Sequence, residues 1–152
     1  VMAIKEEGAT WDQIRKAVAH HINERPKAAI AAAWYAAQLE PENSAILAVR
    51  DFIERNNLST MRTMEPPVKD MDIIDQYMFA VLNHIYEGRY DLAIEKCNLV
   101  LELQPQNVVA LKRLGSAYFS LGEKEKAREA WARALKLLPD DKDLQKYIKE
   151  TR

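Results

Sequence analysis

Few side chains in this sequence have the types and spacing that chemistry requires. His20 and Glu24 are one helical turn apart and are candidate metal ligands, but two ligands do not complete a site and no His-Glu-x-x-His pattern occurs. His20 and His84 are more simply explained as half-buried packing residues. Cys97 occupies an interior position of a predicted helix, where a thiol behaves as a small hydrophobe. We therefore predict neither a metal site nor a nucleophilic cysteine.

The hydroxyl and carboxyl groups give no stronger signal for catalysis. Ser116 and Ser120 lack an accompanying His and Asp, and no glycine-rich phosphate loop is present. The acid pairs at 6–7 and 140–141 lie at predicted tails and turns, which favours solvent or helix N-termini over acid–base work. The sequence predicts a protein that is not an enzyme, with no catalytic residue and no cofactor.

Composition limits the partners. The chain has 152 residues and a formal net charge of −1, so we expect neither nucleic acid nor an anionic membrane as a ligand. The longest apolar run, 28–37, is half of the ~20 residues that span a bilayer. We expect a soluble protein with no direct membrane insertion, in the cytoplasm or the periplasm. Because it begins with Val1, we also expect a processed protein or a piece of a longer one.

An internal repeat is the main feature of the sequence. Identical residues recur 34 positions apart, which indicates duplicated supersecondary units at 74–107 and 108–141. The recurring pairs are Gly88 and Gly122, Ala93 and Ala127, Glu95 and Glu129, Leu101 and Leu135, Leu103 and Leu137, and Pro105 and Pro139.

Each unit is predicted to be a helix, a tight turn and an antiparallel helix. Apolar residues in both halves follow the i, i+3, i+4, i+7 spacing of a helix face. Gly88 and Gly122 fall between the halves, where a helix C-terminus favours the left-handed conformation. Pro105 and Pro139 follow the second halves and end them.

These residues resemble the tetratricopeptide repeat, whose pattern is W-x2-L-G-x2-Y, A-x3-F and P. The last unit has Leu111, Leu114, Gly115 and Tyr118, then Ala127, Trp131 and Pro139. The middle unit matches more loosely, with Tyr77, Ala80, Val81, His84, Ala93, Cys97 and Pro105. The resemblance implies an all-α, right-handed solenoid of antiparallel helix pairs.

A third copy is predicted upstream, followed by a break. The spacings among His20, Ala29 and Pro41 equal those in the two clear units, which predicts a degenerate repeat at 10–43. We then expect an unpaired helix at 44–57, which either caps the upstream pair or finds a partner in the downstream pairs or in another chain. A linker or degenerate unit is expected at 58–72, where Pro66 and Pro67 prevent a regular helix. A polar-backed helix at 142–152 is predicted to cap the array and end the chain.

In such a solenoid the first helices of successive units line one curved surface. We call the residues predicted to face it the inner-face residues: Asp75, Met78, Leu82, Ile85, Tyr86, Val109, Lys112, Ser116 and Phe119. Upstream, Trp11, Ile14, Val18 and His21 correspond to them. This surface is apolar, which is typical of an interaction site.

We expect a non-catalytic scaffold that binds a peptide or helix of a partner protein on its concave face, with Lys112 pairing an acid. Some relatives hold a C-terminal carboxylate with Lys, Asn and Arg, but among the matching positions here only Lys112 fits, so that clamp is not predicted. Two alternatives remain. The 44–57 helix or the linker covers the surface, or these segments mediate self-association into a homo-oligomer.

Overall fold

The protein is all-α, as predicted. The computed structural model describes the backbone of residues 2–152 and the side chains of residues 8–152. Every regular element in that range is a helix: α1 (Met2–Ile22), α2 (Pro26–Leu39), α3 (Ser44–Arg55), α4 (Leu58–Met61), α5 (Ile73–Tyr86), α6 (Tyr90–Leu103), α7 (Val108–Ser120), α8 (Lys124–Leu137) and α9 (Lys142–Glu150). The chain forms two compact units, a first unit at Val1–Gln76 and a second unit at Tyr77–Arg152.

The same turn joins three helix pairs. Gly88 and Gly122, between α5 and α6 and between α7 and α8, have φ of 73° and 81°. Glu24 holds the equivalent place between α1 and α2 and has φ 56°. Each turn is closed by the same hydrogen bond, in which the next N–H donates to the carbonyl of His20, His84 or Tyr118 at 2.8–2.9 Å. This geometry supports an upstream repeat, with a non-glycine residue in the left-handed position.

Three helices begin at equivalent caps, of which the sequence analysis indicated only the acid at 141 as a helix N-terminal residue. Asn43, Asn107 and Asp141 each lie two residues after a proline and precede α3, α7 and α9. Their side-chain oxygens accept backbone N–H groups at 2.9–3.3 Å, which satisfies donors that a helix N-terminus leaves unpaired. By its cap, α3 therefore starts as the first helix of a further pair.

Close packing within the last pair depends on a glycine. A Cβ added to Gly115 would lie 2.7 Å from Cε2 of Trp131, and closer still to Nε1 and Cδ1. The indole therefore lies directly on the α7 backbone, and its Nε1 donates to the Lys112 carbonyl at 3.2 Å. The positions equivalent to Gly115 and Trp131 are also buried in the other pairs, but the side chains there differ in size. They are Val81 and Cys97 in the α5–α6 pair, and Ala17 and Ala33 in the α1–α2 pair.

In the first unit, α3 lies on the upstream helix pair, which is one of the placements expected for it. It packs against α1 and α2, and Ile46 and Ile53 are fully buried. Ile46 joins a core cluster with Ile14 of α1 and with Ala36 and Ala37 of α2. The helix ends at Arg55, two residues before the predicted limit, because the Asn56 and Asn57 side chains bond the carbonyls of the preceding turn.

The segment predicted as a linker is partly ordered. A single helical turn, α4, follows α3 and contacts α2 and α3. Further along, the Gln38 amide donates to the Met71 carbonyl at 3.1 Å and accepts the Ile73 N–H at 2.7 Å. The Gln76 amide accepts from Val68 and donates to Pro66 in the same way. Two glutamine side chains therefore replace the backbone pairing that Pro66 and Pro67 prevent.

Candidate functional site

The inner-face residues of α5 differ in how far their side chains are exposed to solvent. Met78, Leu82 and Ile85 are half-buried, and Tyr86 is 80% exposed at the edge. Asp75 is exposed but belongs to the first unit. These side chains flank the buried stripe that begins at Tyr77, as the helical spacing predicts.

One exposed aromatic residue on α5 was missed by sequence analysis. Phe79 is 63% exposed, and with Leu82 and Tyr86 it follows the i, i+3, i+7 spacing of a single helix face. The signal was available in the sequence, because residues 77–82 contain no charged or amide side chain. The apolar face of α5 is thus wider than predicted.

The α7 part of the surface lies next to α5 within the second unit. The Arg113 guanidinium donates to the Met78 carbonyl at 3.2 Å, which joins the two helices. Val109 and Phe119 are 50% and 47% exposed, and Ser116 is exposed with its hydroxyl donating to the Lys112 carbonyl. Both predicted apolar residues of α7 are therefore about half exposed to solvent.

The Lys112 ammonium is held by an acid of its own chain. Its Nζ lies 2.6 Å from Oδ2 of Asp141, whose Oδ1 accepts the Leu144 N–H at 3.0 Å. The hydrogen bond from Lys112, and then that from Leu144, keep the pKa of the Asp141 carboxyl below its usual value. One carboxylate thus caps α9 and links it to α7.

An open pocket of about 270 Å³ lies where α7, α8 and α9 meet. We call it the aromatic pocket, and its lining residues are Ser116, Phe119, Ser120, Trp131, Tyr147, Glu150 and Thr151. Its three rings are contiguous: the Trp131 centroid is 6.0 Å from that of Phe119 and 5.3 Å from that of Tyr147. Trp131 is almost wholly buried and forms the base, whereas Phe119 and Tyr147 are partly exposed.

The upstream residues predicted to correspond to the inner face divide into two groups. Ile14 is core, with 6% exposure, and packs with Ile46, so at this position the 44–57 helix covers the surface, as the first alternative stated. Trp11 and Val18 are more than 40% exposed. His21 makes an edge-on contact with the Phe52 ring at 5.6 Å, which brings α1 and α3 together.

Cys97 and Tyr77 are ionisable side chains of the second unit whose burial favours their uncharged forms, so they act as packing residues. Burial raises the pKa of the Cys97 thiol to about 12 and raises the pKa of the Tyr77 phenol further above its usual value. Cys97 is fully buried, as predicted.

Among side chains 8–152, no three His, Cys, Asp or Glu residues are placed to hold a metal ion. Within residues 2–152, no helix has the length and apolar character needed to cross a membrane.

The comparison with known families fits this geometry. Residues 84–148, which run from the end of α5 into α9, match the tetratricopeptide repeat family. This part of the chain is similar to a tetratricopeptide repeat array. Tetratricopeptide repeats generally mediate protein–protein interactions, and they typically serve as scaffolds rather than catalysts.

Two curated proteins are similar to parts of the chain. Peptidyl-prolyl cis-trans isomerase FKBP42 of Arabidopsis thaliana is 41% identical over 61 residues, which is 40% of this chain and 17% of that protein. Zinc finger CCCH domain-containing protein 7A of Homo sapiens is 28% identical over 103 residues, 67% of this chain and 11% of that protein. The chain therefore spans less than a fifth of either relative.

Proposed function

We propose that this chain is a non-catalytic scaffold that binds a segment of a partner protein along the inner-face residues of its second unit. One observation carries the proposal: the first helices of the tetratricopeptide pairs leave large apolar side chains about half exposed or more. Phe79, Tyr86, Val109 and Phe119 are each 47–80% exposed. Concentrated exposed apolar surface of this kind marks interaction sites.

The expected binding mode is an amphipathic helix or extended segment laid against α5 and α7. Burying one Leu or Phe side chain is worth about 1.5–3 kcal/mol. Three such contacts, less the cost of association, correspond to micromolar rather than nanomolar binding.

The proposal modifies the expected role of Lys112. Its ammonium already pairs with Asp141, so a partner acid gains little by replacing an equivalent carboxylate. Apolar contacts therefore supply most of the affinity, and Lys112 fixes the wall of the site by joining α7 to α9.

A selected peptide tests this proposal. A random peptide library is displayed against the whole chain, and the affinity of a selected peptide is measured by fluorescence anisotropy. Leu82→Glu and Tyr86→Glu are expected to weaken binding at least tenfold, because a carboxylate replaces a buried apolar contact. Asn98→Glu, an exposed site on α6, is the charge-matched control and is expected to bind normally. If Asn98→Glu weakens binding and the two α5 variants do not, the proposal is wrong.

Self-association is the alternative function. The self-association alternative was based on an α3 helix without partners, whereas α3 packs on α1 and α2. Phe52 of α3 nevertheless remains 49% exposed. A dimer in sedimentation velocity that is lost in Phe52→Asp and kept in Ala48→Asp, another exposed α3 site, supports this alternative. Ile53 is fully buried, so its replacement tests folding rather than association.

A further inference from the structure

We propose that the aromatic pocket binds an arginine side chain of the partner segment, with the guanidinium stacked on Phe119 and Tyr147 and paired with Glu150. This inference rests on the proposed function, since the arginine belongs to the partner. It adds a charged contact to a surface that otherwise binds through apolar area.

The rings provide a surface for a flat cation. Phe119 and Tyr147 are 47% and 41% exposed, and each ring packs against the buried Trp131 with its plane tilted by 39° from the indole. A planar guanidinium stacks on an exposed ring face, whereas a quaternary ammonium is best held by rings on several sides.

The charge of the pocket favours a cation. Among the described residues that line it, Glu150 alone carries a formal charge. The Lys146 ammonium lies 4.0 Å from its carboxylate, and both side chains are more than 60% exposed. Such a pair contributes little and is readily exchanged for a better-placed partner.

One guanidinium of the chain, that of Arg128, bonds a residue that lines the pocket and keeps its positive charge there. The Arg128 guanidinium donates to the Thr151 carbonyl at the C-terminal end of α9, where a cation also meets the negative end of the helix dipole. Ser116, Ser120 and Thr151 place hydroxyl groups at the same pocket. Since a guanidinium has five N–H donors, it can bond a carboxylate and neighbouring oxygens together.

Small probes test the pocket without a partner. N-acetyl-arginine methylamide is titrated into the isotopically labelled chain, and ring signals of Phe119, Trp131 and Tyr147 are followed by NMR. The neutral isostere N-acetyl-citrulline methylamide and the apolar N-acetyl-leucine methylamide are titrated in parallel. Arginine is expected to bind at least threefold more tightly than either, and added salt is expected to reduce that preference.

Variants of the pocket residues test which side chains bind the arginine probe. Glu150→Gln is expected to weaken arginine binding threefold to tenfold, whereas Glu129→Gln, an exposed acid of α8 outside the pocket, is expected to have no effect. Tyr147→Leu and Phe119→Leu keep an apolar group but remove a ring, and each is expected to reduce the preference for arginine over citrulline.

Three results overturn this proposal: citrulline or leucine binding as tightly as arginine, no loss in Glu150→Gln, or no shift of the pocket rings at millimolar probe. Each leaves the α5 test above unaffected, so failure of the arginine site is distinguishable from failure of the proposed function.

Discussion

Gly115 gives the sharpest test of how the last helix pair packs. In Gly115→Ala the new methyl group overlaps the Trp131 indole, so the ring must move away from α7. Overpacking a close-packed core costs about 1–3 kcal/mol. Displacement also breaks the bond from Trp131 to the Lys112 carbonyl, which adds about 1 kcal/mol. We expect a loss of about 2–4 kcal/mol in the free energy of unfolding of the second unit.

The other glycines separate steric overlap from backbone strain. Gly88 and Gly122 have positive φ and open space around them, so alanine there is expected to cost about 1–2 kcal/mol through conformation alone. Gly8 lies inside α1 with nothing near its Cα, so Gly8→Ala is expected to stabilise by about 1 kcal/mol.

Urea unfolding followed by circular dichroism measures this series, and the indole N–H signal of Trp131 reports its displacement. The reasoning is refuted if Gly115→Ala is no less stable than Gly122→Ala, or if the Trp131 indole signal stays unchanged in Gly115→Ala.

Three further predictions concern the turn, the thiol and the cap. Glu24→Gly is expected to raise stability by about 1 kcal/mol, since it relieves a positive φ; a decrease in urea midpoint would contradict this. Cys97 is expected to resist a thiol reagent near neutral pH in the folded chain and to react at once in urea, because burial raises its pKa; prompt reaction of the native protein would be contrary evidence. The pKa of Asp141 is lowered in the folded state, so its contribution is present above its ordinary value of 3.8 and is lost as pH falls through the folded pKa. Thermal melts are therefore expected to weaken more below about pH 4 in the native chain than in Asp141→Asn; equal weakening would exclude this role.

Local patterns predicted much of the fold. The offset of 34 residues located the two clear pairs, and the left-handed turn follows from Gly88 and Gly122. The upstream turn was harder, because Glu24 gives no sign of a positive φ and only its spacing from His20 and Ala29 marks it. The helix caps can be predicted from the sequence, because Asn43, Asn107 and Asp141 each follow a proline by two residues.

The sequence predicts those parts of the candidate site that the periodicity of a single helix determines. The α5 and α7 faces follow from helical period, whereas the ion pair of Lys112 and Asp141 joins side chains 29 residues apart. The aromatic pocket likewise needs three helices in place before Tyr147 and Glu150 meet Phe119. The packing of α3 on α1 and α2 was one of several alternatives, because its sequence shows an apolar face but not which helices that face contacts.

The central claim is that a partner lies along the first helices of the second unit. Paramagnetic broadening tests it directly, with a nitroxide placed on a selected peptide bound to the isotopically labelled chain. The account predicts the strongest loss of amide signal in α7 and in residues 77–86 of α5. Broadening confined to α6 and α8, or to the helices of the first unit, would contradict it.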